Sequence, residues 1–345
     1  MEIRLCKVHE YPQLLDVLNE AFGYGSDSAW FQKKWSHCTP YPDIAAQDEV
    51  MKHFVCIIDE QIVGCVGAYP FDLEVCGENG TKRTIYAYGI GQVSCLNYYR
   101  NRGVMSALMK AAEEQMFADG RTIGFLGGNR RRYGYFGYDF GGNIVKYTPD
   151  KRLLADIASE KEVIIRLASF EDWHEMDKAY RSLPSFAHRS ERKWKLHFLR
   201  EEIRWYIGEC CGQKGYIGFK EPNVVFELYG NPDTIAAMLL HMTNSQEEGK
   251  AISVLYAAQN IVSDAIGKML YNTAAWVHSY PMGLSSIINP TKFLNDLQID
   301  CAFMSANRQK SLARLLMGFE PLPYEKLNQA QVNHLCVWFS DIDSV

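Results

Sequence analysis

Chemistry concentrates in one stretch of this sequence, Gln92-Val93-Ser94-Cys95 followed by Leu96-Asn97-Tyr98-Tyr99 and then Arg100-Asn101-Arg102-Gly103-Val104-Met105-Ser106. A β-forming run ends at Cys95, two arginines flank a polar turn, and helical spacing starts near Met105. Such a passage from strand to helix is an anion site, because the first N–H groups of a helix lack intrahelical acceptors and lie at the positive end of its dipole. Gly103 lets the backbone come close to a phosphate, and Arg100 and Arg102 add positive charge. Upstream, the strand edge at Val93, Ser94 and Cys95 can pair with the amide groups of an extended arm, as strands add to sheet edges. A pyrophosphate joined to an amide-bearing arm describes coenzyme A, with Asn101, Val104, Met105 and Ser106 completing the binding run.

A second group lies downstream, where Gly127-Gly128-Asn129 leads through Arg130, Arg131 and Arg132 into Tyr133-Gly134-Tyr135-Phe136-Gly137-Tyr138. Tyr133 is the candidate acid: a phenol with a reference pKa of about 10 stays protonated at neutral pH and can donate to a thiolate whose conjugate acid lies near ~8.5. The alternative is that Tyr133 packs, like its aromatic neighbours. Cys95 reads as a small apolar residue rather than an acyl carrier, since no histidine is near it in sequence to act as its base. His37, His53 and His174 have no spacing that singles them out.

These groups need a scaffold, and the periodicity supplies one. Tyr11, Leu14, Leu15, Leu18 and Phe22 form one face of a helix. Phe54–Ile58 and Ile62–Tyr69 read as a hairpin about Asp59-Glu60-Gln61, a third strand covers Leu73–Cys76, and a long strand runs from Thr84 towards Cys95. Met105, Leu108, Met109, Ala112 and Met116 then recur at helical spacing up to Gly120, and Ile123–Leu126 reads as the returning strand.

At Arg100 and Gly103 the sequence resembles the GNAT superfamily of N-acetyltransferases, whose signature after the fourth strand is Arg/Gln-x-x-Gly-x-Gly/Ala; Met105 departs from its last position. The Tyr133–Tyr138 segment is similar to that of the Eis-like (enhanced intracellular survival) acetyltransferases. The resemblance implies an α/β (α+β) chain of tandem GNAT-like mixed β-sheets flanked by helices. A catalytic domain would occupy residues 1–150, a degenerate GNAT-like domain 160–282, and a short segment related to sterol-carrier folds 283–345. It implies acetyl-coenzyme A as cofactor and the tyrosine at position 133 as proton donor. Asp27 and Trp30 would border the amine cleft, and the carboxylate of Val345 would reach back as a base. Asp27 also reads as a helix cap and Trp30 as a core residue.

The bulk properties agree with such an enzyme. At 345 residues the chain has room for two domains, with a boundary where apolar signal fades between Lys146 and Lys161. A net charge of −5 argues against nucleic acid or an anionic membrane as partner and does not repel a cationic small-molecule or peptide amine. The ten cysteines sit mostly in apolar runs without metal-ligand spacing, so no metal is expected. No apolar stretch reaches the ~20 residues of a membrane span and Met1–Glu10 does not read as a secretory leader, which together predict a cytoplasmic protein, its oligomeric state open. Two other readings remain at this level: a coenzyme A-binding scaffold without turnover, and transfer of another acyl group.

Overall fold

The computed structural model describes residues 1–23, 51–76, 82–158, 162–183, 185–247, 250–257 and 265–297. They form two compact units, the first built from residues 1–142 with 283–297 and the second from 143–282.

The first unit begins with β1 (Glu2–Leu5) and α1 (Tyr11–Gly23), continues through β2 (Lys52–Ile58), β3 (Gln61–Cys76) and β4 (Lys82–Cys95), and then forms α2 (Val104–Ala118), β5 (Ile123–Leu126) and the short α3 (Arg130–Tyr133). β1 to β4 pair antiparallel in sequence order, and β4 and β5 are parallel. Both faces of this sheet are covered, which is why β2 reads as an unbroken apolar run rather than an alternating one. Leu14, Val17 and Leu18 of α1 pack with Val55, Ile62 and Cys65, whereas Leu108, Met109, Ala112 and Met116 of α2 pack with Phe54, Cys56, Val63 and Val66. Each of these large side chains contributes roughly 1.5–3 kcal/mol on leaving water. α2 stops where expected: Gly120 takes φ +68° and the N–H of Arg121 returns to the carbonyl of Met116 at 2.9 Å.

One strand differs from the sequence reading. β3 runs without a break through Pro70, which stands opposite Tyr88. Proline removes a ladder donor, but β2 pairs with β3 only as far as Ala68, so Pro70 breaks no bond to β2.

The second unit repeats this order. β6 (Asp139–Pro149) and α4 (Lys151–Ala158) lead into β7 (Ile164–Leu167), α5 (Trp173–Tyr180), β8 (Ser185–Ala187), α6 (Glu191–Phe198), β9 (Ile203–Cys210), β10 (Gln213–Lys220), β11 (Val224–Gly230), α7 (Pro232–Asn244), β12 (Ser253–Ala257) and α8 (Ala265–Thr273). β7, β9, β10 and β11 pair antiparallel and β11 and β12 parallel, with α7 in the place that α2 holds in the first unit. Its core is aromatic, joining Tyr180, Trp194, Trp205, Tyr216 and Phe226. Within it Arg189 and Glu227, both fully buried, form a two-pronged ion pair at 2.9 and 2.7 Å, and the Tyr216 hydroxyl donates to Glu227 at 2.8 Å. Such a pair is tolerated in a core because its charges and hydrogen bonds are matched.

The sixth strand of each unit joins it from far along the chain. Leu284–Ile287, the end of β13 (Ala274–Ile287), lines up antiparallel with β5, and Ile144–Tyr147 of β6 does so with β12. After β13, α9 (Pro290–Asp296) begins at Asn289, whose side chain accepts from the N–H of Lys292.

Candidate active site

β4 and β5 stay paired from Ala87 opposite Ile123 to Ile90 opposite Leu126, and the ladder stops there while β4 runs on to Cys95. Parting parallel strands leave a crevice at their carboxyl ends, the place where open α/β sheets take ligands. The N–H of Leu96 is bonded to the carbonyl of Val63 at 2.9 Å, so strand alternation turns the N–H of Cys95 to the opposite edge, towards the crevice. Ser94 is buried and its hydroxyl has no hydrogen-bond partner among the described residues, which leaves only its backbone for a ligand; Val93 and Cys95 are half-buried. The Cys95 thiol is pushed up in pKa by burial, against a smaller opposing effect of Arg100, and so is held as a neutral thiol.

A bulge lies just upstream. Cys65 faces Ser94 and Gly67 faces Gly91, so Val66 alone stands opposite Gln92 and Val93. Gln92 takes φ +54°, a costly conformation for a residue with a Cβ, and its side-chain oxygen is bonded to Nε2 of buried His53 at 2.8 Å. Burial pushes the pKa of His53 down to about 4, with the Gln92 bond a smaller opposing effect, so the ring is neutral at physiological pH. His53 and Gln92 thus fix the bend that aims the end of β4, a role that nothing in their spacing reveals.

The turn after β4 is wound by two left-handed residues, Asn101 at φ +62° and Gly103 at φ +78°. Gly103 stands at the N-cap of α2 and offers no side chain to its first N–H groups. A Cβ on Gly103 would meet nothing within 4 Å, so the space over the helix start is open. The guanidinium of Arg102 lies over the rings of Tyr98 and Tyr99, at 4.9 and 5.4 Å, and is held at the turn by cation–π contact. The Nε of Arg100 donates to the carbonyl of Cys95 at 3.4 Å. Val104 is buried under the turn, Met105 is half-buried and Ser106 is exposed.

Beyond β5 the chain passes Gly127 and Gly128 to Asn129, whose side chain accepts from the N–H groups of Arg131 and Arg132 at 2.9 and 3.3 Å and caps α3. Tyr133 closes this turn with 7% of its surface exposed, in the same packed cluster as Ile90 and Leu126, the last paired residues of the parting strands. Its ring lies on the backbone of Gly128, where a Cβ would come within 2.6 Å of Cε2. Burial raises the phenol's pKa, opposed by Arg132. The neighbouring tyrosines separate by environment, Tyr135 being 86% exposed and Tyr138 fully buried beneath Gly124. Arg130 pairs with Asp139 and fixes the following strand. Glu113 on α2 was missed by spacing: burial raises its carboxyl to about 7, and one of its oxygens is buried without a hydrogen-bond partner among the described residues.

Asp27, Trp30 and Val345 lie outside the described residues. Among the described residues no cluster of His, Cys, Asp and Glu could hold a metal ion, and no helix is long and apolar enough to cross a membrane.

The start of α7, the counterpart of α2, is built differently. Asn231 accepts from the N–H groups of Asp233 and Thr234 at 3.0 and 3.2 Å, and Pro232 has no N–H to give. The helix start left open in the first unit is thus occupied by the chain's own side chain in the second.

A family model described as an acetyltransferase (GNAT) domain matches residues 2–141. No curated protein matches the chain in sequence. A probable N-acyltransferase from Enterococcus faecalis V583 is similar in structure, with a TM-score of 0.64, 18% identity, and 86% of this chain and 74% of that one covered. A GCN5-related N-acetyltransferase from Kribbella flavida follows with a TM-score of 0.61, 18% identity, and coverage of 84% and 73%. Eis1 from Mycobacterium abscessus is similar with a TM-score of 0.57, 14% identity, and coverage of 84% and 74%. The strand-to-helix turn and the parted strands lie inside residues 2–141, the region that matches the GNAT acetyltransferase domain model, and the chain shares its fold with Eis1 over most of its length.

Proposed function

We propose that the protein transfers an acetyl group from acetyl-coenzyme A to a primary amine of a small molecule or a lysine side chain, by direct attack of the amine on the thioester. The observation that carries this reading is the uncapped start of α2 at Gly103, open to solvent and adjoining the free end of β4. Catalysis belongs in this reading to residues 1–150, with 160–282 a degenerate copy and 283–345 a short C-terminal segment. Because Asn231 occupies the corresponding helix start in the second unit, one cofactor binds per chain.

Bound acetyl-coenzyme A would supply an activated thioester. The N–H groups of Val104, Met105 and Ser106, with Arg100 and Arg102 beside them, hold the pyrophosphate, and the edge of β4 from Val93 to Cys95 pairs with the amide arm. The N–H of Cys95, turned to the crevice, would donate to the thioester carbonyl and stabilise the negative charge that builds on its oxygen as the C–N bond forms. When the C–S bond breaks, Tyr133 gives its proton to sulfur; its raised pKa keeps that proton in place at neutral pH. Asp27 and Trp30 are proposed to receive the cationic amine, and the carboxylate of Val345 to take the proton that the amine gives up as it attacks.

The test is release of free thiol from acetyl-coenzyme A in the presence of polyamines, aminoglycosides and lysine peptides, with mass analysis of the product. Thiol release matched by a 42-dalton gain on one amine class is expected, 42 being about the mass of an acetyl group replacing a hydrogen on a nitrogen nucleophile. Binding of coenzyme A without turnover on any amine would refute the enzyme reading.

A further inference from the structure

The second unit contains a cavity of about 780 Å³, well inside the range of ligand pockets. It lies where β11 and β12 part. Parallel pairing covers only Val224 opposite Ser253 and Val225 opposite Val254, after which the strands run on and place Tyr229 and Tyr256 in the cavity wall. The cavity is therefore the second unit's version of the crevice that parts β4 from β5, retained although the phosphate-binding helix start is gone.

Its lining defines the ligand. Tyr229, Tyr256, Leu183 and Ile266 make an almost fully buried apolar wall. At the rim Lys214 is neutralised by Glu175, with Nζ 2.8 Å from the carboxylate. Lys178 also lines the cavity, and it is exposed and forms no ion pair among the described residues. One uncompensated cation over an apolar wall selects one negative charge on an apolar body. A pyrophosphate is excluded, since Asn231 takes the N–H groups at the start of α7, Pro232 has none, and Asp233 adds a negative charge there.

We propose that this cleft binds a monoanionic amphiphile, a carboxylate with an aliphatic or aromatic body, its head at Lys178 and its body against Tyr229 and Tyr256. The site is independent of the cofactor reading, because every residue lining it belongs to the second unit.

The experiment titrates the full-length chain with decanoate by calorimetry, beside decylammonium as a body of the same size and opposite charge. Saturable binding of one decanoate per chain is expected, with decylammonium at least roughly tenfold weaker. Lys178→Glu should weaken decanoate by about tenfold or more through charge reversal at the rim. Ala265→Trp, at an exposed position lining the cavity, should fill it and abolish binding. Cooperative melting and an unchanged circular-dichroism spectrum report that each variant is folded; should Ala265→Trp fail this check, Ser182→Trp, another exposed lining position, replaces it. Absence of saturable decanoate binding, equal binding of decylammonium, indifference to both substitutions, or one-for-one displacement by coenzyme A would each overturn the proposal. A chain that binds decanoate but no coenzyme A would leave this site standing and sink the cofactor reading alone.

Discussion

Gly103→Glu should abolish coenzyme A binding while the protein stays folded. The left-handed φ of +78° costs an L-residue roughly 1–2 kcal/mol, and the new Cβ meets nothing within 4 Å, so no steric clash adds to it. Set against a typical stability of about 5–15 kcal/mol, that loss is survivable. The binding penalty is larger. A carboxylate about 5 Å from each of two phosphate charges, at an effective dielectric near 40 for a half-open site, is repelled by roughly 1.7 kcal/mol per charge, or ~3 kcal/mol in all. That is more than a hundredfold in affinity. Titration calorimetry with coenzyme A reads the binding, and thermal melting reads the fold. Gly103→Ala separates the two contributions, since it carries the conformational cost without the charge and should weaken binding by less than about tenfold. If folded Gly103→Glu binds coenzyme A within about threefold of the native protein, the helix start is not the phosphate site and the argument fails.

Tyr133→Phe should lower turnover by roughly a hundredfold with coenzyme A affinity intact, because the ring still packs on Gly128 and only the proton donor is lost; full activity would return Tyr133 to a packing role. His53 makes stability pH-dependent: its pKa is about 4 when folded and its ordinary value is 6.5, so the unfolded chain binds more protons in between. The stability present at neutral pH is therefore lost as pH falls from 6.5 towards 4, by about 3 kcal/mol in total. Urea unfolding at pH 7 and pH 5 should show this fall to be smaller in His53→Gln, and equal falls would exclude His53 as its source. Glu113 has the opposite sign, its contribution being full below pH 4.5 and lost as pH rises through about 7. Glu113→Gln should accordingly raise the melting temperature at pH 8 and not at pH 4; no gain at pH 8 would mean that the carboxyl is solvated. Glu227→Ala strands the buried charge of Arg189 and should cost about 3–5 kcal/mol in urea unfolding, whereas a loss under ~1 kcal/mol would show that water reaches the pair.

Sequence alone determined the parts of this protein that depend on neighbours a few residues apart. The spacing of Leu108, Met109, Ala112 and Met116 sets a buried helix face, and Gly120 ends it, because helix periodicity and capping are local. The strand, arginines and glycine from Val93 to Gly103 are read as an anion site for the same reason, and the structure adds the glycine's left-handed φ and open surroundings. Tertiary structure decided what depends on residues far apart in the chain. Gln92 can hold its bend because His53 is brought beneath it by the pairing of β2, β3 and β4, and neither residue type signals a bulge. Tyr133, Tyr135 and Tyr138 look alike in sequence, and only packing against Gly128 and under Gly124 separates candidate acid from surface ring and core. The sixth strand of each unit is also beyond local reading, since β6 and β13 reach their partners across the whole intervening chain. Propensity gives a segment its shape, but which edge it joins is set by burial and hydrogen bonding summed over the fold, where no short window of sequence contains the partner.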